Sequence, residues 1–188
     1  MKKKTNPIQT YSGIWFYPLE PDKDLVLLPD IAHALSNQCR FAGHVREFHS
    51  VGQHAVEVAE RLKFESPMLQ LAGLMHDSPE AYMVDLPRPL KLLMPEYVMA
   101  EKRLMAVIAD RFSIPIHLFE SVKEADHEAL SIEAMTLMAP LGAGFDVTSK
   151  DVENVSGLVI EECWPPKVAE RKFLEKFQEL WNAVRQST

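Results

Sequence analysis

The chain has 188 residues and a formal net charge of -7, from 20 Lys and Arg against 27 Asp and Glu. A chain of this length buries roughly 70% of its unfolded surface and folds without staples, and its acidic balance argues against binding polymeric nucleic acid. It leaves room for a small anionic substrate, because one ion and one or two arginines create a local positive pocket. Cys39 and Cys163 form no CxxC and read as reduced thiols of a cytoplasmic protein. No uninterrupted apolar run follows Met1 to Lys4, so neither a signal peptide nor a membrane span is expected.

Residues 8 to 28 are rich in aromatic and β-branched types broken by Gly13 and Pro18, which predicts a short hairpin of two strands. A short helix follows from Pro29 to Asn37 with Asp30 as its cap, then a polar loop from Cys39 to His49 carrying Arg40, His44, Arg46 and His49. Ser50 to Gln53 has the form of a capping box and opens a helix running through Lys63. His54 falls on that helix's apolar stripe with Val51, Ala55, Val58 and Leu62. Alone it reads more readily as a hydrogen-bonded core histidine than as a ligand.

Ser66 and Pro67 cap and start the next helix, whose stripe Leu69, Ala72, Gly73 and His76 points His76 inward. Asp77 ends that helix, and Glu80 lies within one further turn. Asp85 to Lys91 is a stiff, irregular link with two prolines, as suited to a connector as to a site. Helices are predicted from Pro95 to Phe112, Leu118 to Met138 and Pro166 to Arg185, with a polar, turn-like stretch at 145 to 157. On the second of them Val122, Asp126, Leu130, Glu133 and Leu137 share a face, so two acids occupy apolar positions. Such charges need a metal or a cationic partner. The last helix serves either the monomer's own core or a homodimer contact.

His54, His76, Asp77 and Asp126 together supply two imidazoles and two carboxylates from three helices, a set suited to one borderline or hard divalent ion with open positions. Such an ion serves chemistry that moves phosphoryl groups or activates water. Glu80 is the candidate acid or base, with Asp85 competing for that role. Arg40, His44, Arg88 and Lys91 are candidate phosphate contacts, each equally readable as a surface charge.

The pattern H…HD…D, met by His54, His76-Asp77 and Asp126, resembles that of the HD-domain phosphohydrolases. The stretches Leu35 to His44, Ser50 to Val56, Met75 to Tyr82 and Asp85 to Lys91 are especially similar to the compact bacterial and phage branch related to HD-type 5′-nucleotidases. The resemblance runs from the hairpin to the Asp126 helix and weakens after about residue 140. It implies a mostly α HD-domain bundle with a short N-terminal hairpin, one domain over 1 to 188 with a helical extension from about 158.

It also implies one divalent ion, Co2+ or Mn2+ favoured, with Fe2+, Mg2+, Ni2+ or Zn2+ as alternatives. The implied activity is release of phosphate from nucleoside or deoxynucleoside phosphates, monophosphates favoured. Di- or triphosphate hydrolysis, including triphosphate release from a deoxynucleoside triphosphate, and a noncatalytic nucleotide sensor are the alternatives. On the resemblance Glu80 matches the acid of HDxxE, Asp85 a nearby site acid and Arg40 a phosphate-binding arginine, with Phe41 placed to flank the sugar or base. His49 stands where tyrosine is expected. The absence of a second acid after Glu80 argues against a guanosine tetraphosphate hydrolase. A two-metal phosphodiesterase would require further histidines, and His127 points about 100° away from Asp126. His33, His44 and His117 could still approach through the fold, so this counts only in part against two metals.

Overall fold

Two residues per strand do not hold a hairpin together unaided. In the computed structural model, which describes residues 6–139 and 159–187, Ile8–Gln9 (β1) pairs antiparallel with Trp15–Phe16 (β2). The hairpin is anchored by Phe16, fully buried and stacked on Tyr82 at 4.2 Å between ring centroids. A second anchor is the Ser12 N–H, which donates to Asp30 at 2.7 Å. Asp30 is therefore not the cap of the first helix. That helix (α1, Leu28–Asn37) starts from Leu27 with no side-chain cap, and Asp30 sits buried in its first turn, holding the hairpin instead.

Seven more α-helices follow among the described residues: α2 (Val51–Arg61), α3 (Pro67–Met75), α4 (Glu80–Met83), α5 (Arg88–Lys91), α6 (Pro95–Arg111), α7 (Leu118–Leu137) and α8 (Pro166–Gln186). The mostly helical plan with a short N-terminal hairpin agrees with the sequence reading. The predicted turn-like stretch at 145 to 157 lies outside the described residues. α5 corrects the expectation of an irregular link, because Pro87 and Pro89 occupy the N-cap and first turn, where the missing N–H costs nothing.

Helix α2 packs against α1, α3, α7 and α8, and α8 lies across α1, α2 and α3. The stripe of α8 enters the core through Ala169, Phe173, Phe177 and Leu180, so this helix packs within the chain. Burying a side chain of the size of Phe173 contributes about 1.5–3 kcal/mol. Helix α6 is tied to the segment before α1: Arg103 donates to the Leu19 carbonyl and Arg111 to that of Val26. No described helix is long and apolar enough to cross a membrane.

Ser50 caps α2, its hydroxyl accepting from the Gln53 N–H at 3.0 Å, but Gln53 does not return the bond to complete a capping box. Its amide instead donates to Glu57 and to the Glu162 carbonyl, while its oxygen accepts from the Trp164 N–H. This ties the approach to α8 onto α2.

Next to the cap, Gly52 lets α1 and α2 close up. A Cβ there would stand 2.6 Å from Ser36 Oγ and 3.1 Å from Ser36 Cα. Because backbone atoms block it, Gly52→Ala is expected to destabilise the fold by about 1–3 kcal/mol. Urea denaturation measures this, and an unchanged midpoint would show that the helices can move apart at no cost.

Candidate metal centre

Three helices bring the predicted ligands to one point. His54 lies in the first turn of α2 with no exposed surface, His76 is the C-cap of α3 with Asp77 next to it, and Asp126 comes from the middle of α7. His54 Nε2 is 3.3 Å from His76 Nε2, 3.1 Å from Asp126 Oδ1 and 3.6 Å from Asp77 Oδ2. His76 Nε2 is 3.2 Å from Asp77 Oδ2 and 3.6 Å from Asp126 Oδ1. Donor atoms held about 2.0–2.2 Å from one ion stand roughly 2.9–3.6 Å apart, so this spacing fits a shared ion.

Hydrogen bonding on the far side of each ring gives an independent argument. His76 Nδ1 is 2.7 Å from the Gly73 carbonyl, which only accepts, so Nδ1 carries the hydrogen and a neutral ring leaves Nε2 bare. His54 Nδ1 is 2.5 Å from Glu133 Oε1, and Glu133 is an ionised acceptor, with the same result. The two Nε2 atoms are too close for both to carry hydrogens. Two lone pairs and the Asp126 carboxylate thus converge, with Asp77 against both rings, and a divalent ion suits the set, with Glu133 and Gly73 as outer partners that orient the two histidines.

The converging carboxylates also favour positive charge between them, which a proton satisfies when no ion is bound. Burial opposes charge on His76, yet Asp77 and Asp126 hold its pKa well above the usual histidine value. Burial likewise works against an ionised Asp126, but His54 and His76 keep its carboxyl far below the normal range. Asp126 and Asp77 keep 40% and 21% of their side chains exposed while His54 is closed off, so the acidic side of the centre faces solvent.

Glu133 is buried without exposure and sits two turns beyond Asp126 on α7. Its Oε2 accepts from Arg40 Nε at 2.6 Å. Burial resists its charge, but Arg40 and His54 hold its pKa well below the usual carboxylate value. Sequence periodicity marks Glu133 as an inward acid; its tie to Arg40 comes only from the fold. Arg40 is itself buried, with Nη1 3.8 Å from Asp77 Oδ2. Its loop is pinned to the start of α2, since the Arg40 N–H donates to the His49 carbonyl and Cys39 bridges to Ser50. Phe41 and Ala42 follow with φ of 53° and 52°, a left-handed backbone that non-glycine residues rarely adopt.

Glu80 opens α4, buried, with Oε2 making no hydrogen bond. Burial, with Asp77 and Asp85 adding, pushes its pKa well above normal, so it favours the protonated form. Asp85 is raised too, by burial foremost, with Arg40 opposing. Gln38 spans the two: its amide donates to the Glu80 carbonyl at 3.0 Å and its oxygen accepts from the Asp85 N–H at 3.0 Å. Between them Val84 takes φ 72°. Sequence reading gave Gln38 no role.

The remaining candidates are less closely drawn in. Lys91 pairs with Glu101 at 2.6 Å, Phe41 is half-buried beneath the Arg40 guanidinium, and His44 and Arg88 are exposed. His33 pairs with Glu170 and stacks on Tyr11, and His117 precedes α7.

A second cluster lies behind the first. His49, fully buried, places Nε2 3.4 Å from Glu133 Oε1 and 3.5 Å from Glu57 Oε2. Burial lowers its pKa, but Glu133 and Glu57 outweigh this and bring it to about 9. Both this set and His54, His76 and Asp126 have the donors and spacing to chelate a divalent ion. The thiols of Cys39 and Cys163 are free.

No family model matches the chain. Among curated proteins it is 37% identical over 175 residues to "Uncharacterized protein YfdR" of Escherichia coli (strain K12), covering 92% of this chain and 94% of that protein. The chain belongs to the YfdR family. A further relative, "Uncharacterized protein RCAP_rcc00048" of Rhodobacter capsulatus, is 31% identical over 164 residues, 80% of this chain and 83% of its own. The match to YfdR covers nearly the whole of both chains. For this YfdR-family chain, the two clusters give a capacity to bind a divalent metal, which is consistent with catalysis.

Proposed function

We propose that this YfdR-family chain is a metal-dependent HD-type phosphohydrolase that releases phosphate from nucleoside or deoxynucleoside phosphates, with monophosphates favoured. The observation that carries the reading is the convergence of His54, His76, Asp77 and Asp126 beside a buried, proton-retaining Glu80. Histidine-aspartate ligands on separate helices next to such an acid, with Arg40 alongside, suit hydrolysis of an anionic ester better than a purely structural ion. We take residues 1 to 188 as one domain, a reading supported by the packing of α8 on α1, α2 and α3.

A divalent ion, which these four residues would hold, would supply Lewis acidity toward a phosphoryl oxygen and a water. The chain's own groups do the rest. Arg40, fixed by Glu133, offers charge-assisted donors to the phosphate oxygens. Asp85, less shifted than Glu80, accepts the proton of the attacking water. Glu80 hands its proton to the leaving oxygen as the ester bond breaks. Lys91, His44 and Arg88 rank behind Arg40 as phosphate contacts, and Phe41 is positioned to flank the sugar or base.

An assay of protein reconstituted separately with Mn2+ and Co2+, against nucleoside mono-, di- and triphosphates, tests this reading. Inorganic phosphate from monophosphates is the expected product. Pyrophosphate or triphosphate would reassign the chain-length preference, and binding without product would indicate a sensor. No metal-dependent turnover across the panel would end the hydrolase reading. Glu80→Gln should lower kcat by about 10²–10⁴-fold while leaving ion binding intact.

A further inference from the structure

We propose that His49, Glu57 and Glu133 form a second divalent-cation site, behind the first and closed to substrate, suited to a borderline ion such as Zn2+. Its three donor atoms come from the loop before α2, from α2 and from α7, and lie within 4.8 Å of one another. His49 and Glu133 have no exposed side-chain surface, and Glu57 keeps only 20%.

The bland alternative is an imidazolium bridging two carboxylates. A charge-assisted N–H···O bond would draw the atoms to about 2.7–2.9 Å. Here the two acids favour a proton on the ring, yet the separations are 3.4 and 3.5 Å and neither contact has hydrogen-bond geometry: His49 Nε2 and Glu57 Oε2 are both buried with no such partner. Those separations lie within the roughly 2.9–3.6 Å expected between donors around a single ion.

The ring's other nitrogen has its own neighbour. Cys163 Sγ stands 4.0 Å from His49 Nδ1, near enough for the weak N–H···S contact that would leave Nε2 bare toward the carboxylates. The site is distinct from a co-catalytic pair, whose ions lie roughly 3.5–4 Å apart. The His54 ring stands between the two sets, with Nε2 turned to one and Nδ1 bonded to the Glu133 oxygen that serves the other. Glu133 would thus link them, and an ion behind it would withdraw charge from the partner of His54.

Metal stoichiometry tests the site without reference to activity. Protein stripped with chelator is loaded with Zn2+, freed of excess, and its metal content measured by mass spectrometry; Co2+ loading reports geometry through its visible absorption. The expected result is about two equivalents for the wild type and about one for Glu57→Gln, His49→Gln or Asp126→Ala. Glu57→Gln with Asp126→Ala should leave none. Glu57 is partly exposed and glutamine is nearly isosteric, so Glu57→Gln should keep the fold, as circular dichroism would verify. A single equivalent in the wild type would overturn the proposal in favour of the bridging imidazolium, as would two equivalents retained by both Glu57→Gln and His49→Gln. Loss of one ion in those variants with none lost in Asp126→Ala would support this site and count against the proposed catalytic centre.

Discussion

Replacing Asp126 by Ala is expected to remove the ion from the proposed catalytic centre and lower turnover by about 10³-fold or more. Asp126 Oδ1 lies 3.1 Å from His54 Nε2 and 3.6 Å from His76 Nε2, so its loss strips a charged donor from between the two rings. Lewis-acid stabilisation is worth several kcal/mol in the transition state, and each 1.4 kcal/mol is tenfold in rate. The side chain is 40% exposed, so its removal leaves no large buried cavity. Equilibrium dialysis together with phosphate release measures both effects, and a variant with normal metal affinity and rate would reject Asp126 as a ligand.

The second large effect is expected at Glu133. Truncation to Ala would leave Arg40 and His54 buried without their shared counter-charge and deprive His49 of one of its two acids. Breaking a buried ion pair from one side costs about 3–5 kcal/mol. Losing the acceptor that orients His54 Nδ1 should also weaken ion binding about 10–100-fold. Urea unfolding in excess chelator isolates the stability loss from any metal contribution, and a loss under about 1 kcal/mol would show that Arg40 finds another partner.

The pH sign follows from the direction of the shift. The Glu133 pKa is depressed in the folded protein, so its contribution is present above the unfolded value of about 4.3 and is lost as pH falls through the folded value. The variant's deficit should therefore be full at neutral pH and shrink only in strong acid.

Much of this architecture was legible because its signals are local. Ser50 and Ser66 announce helix starts through hydroxyls that meet the N–H three residues on. Apolar periodicity aims His54 and His76 inward and marks Asp126 and Glu133 as acids on a buried face. Long-range partners erased other local signals. Asp30 looks like a cap, yet its carboxylate is taken by Ser12, 18 residues earlier. Gln53 looks like half of a capping box, but its amide reaches Glu162, 109 residues away. Glu133 meets Arg40 across 93 positions, and His49 reaches Glu57 and Glu133 from an aperiodic loop. No helical or strand period encodes such meetings; they arise when the hairpin, the loop before α2, α7 and the approach to α8 close onto α1 and α2.

The Gln38 amide contributes a different kind of order. By holding the Glu80 carbonyl and the Asp85 N–H at once, it acts as a caliper set across the left-handed bend at Val84. Gln38 stands at the C-cap of α1, so the backbone on either side of Val84 is gauged from the end of another helix instead of by the four-residue helix that carries Glu80. A glutamate there would offer acceptors to both jaws and release one. Glu80 and Asp85 would then be free to drift apart with His54, His76, Asp77 and Asp126 still in place.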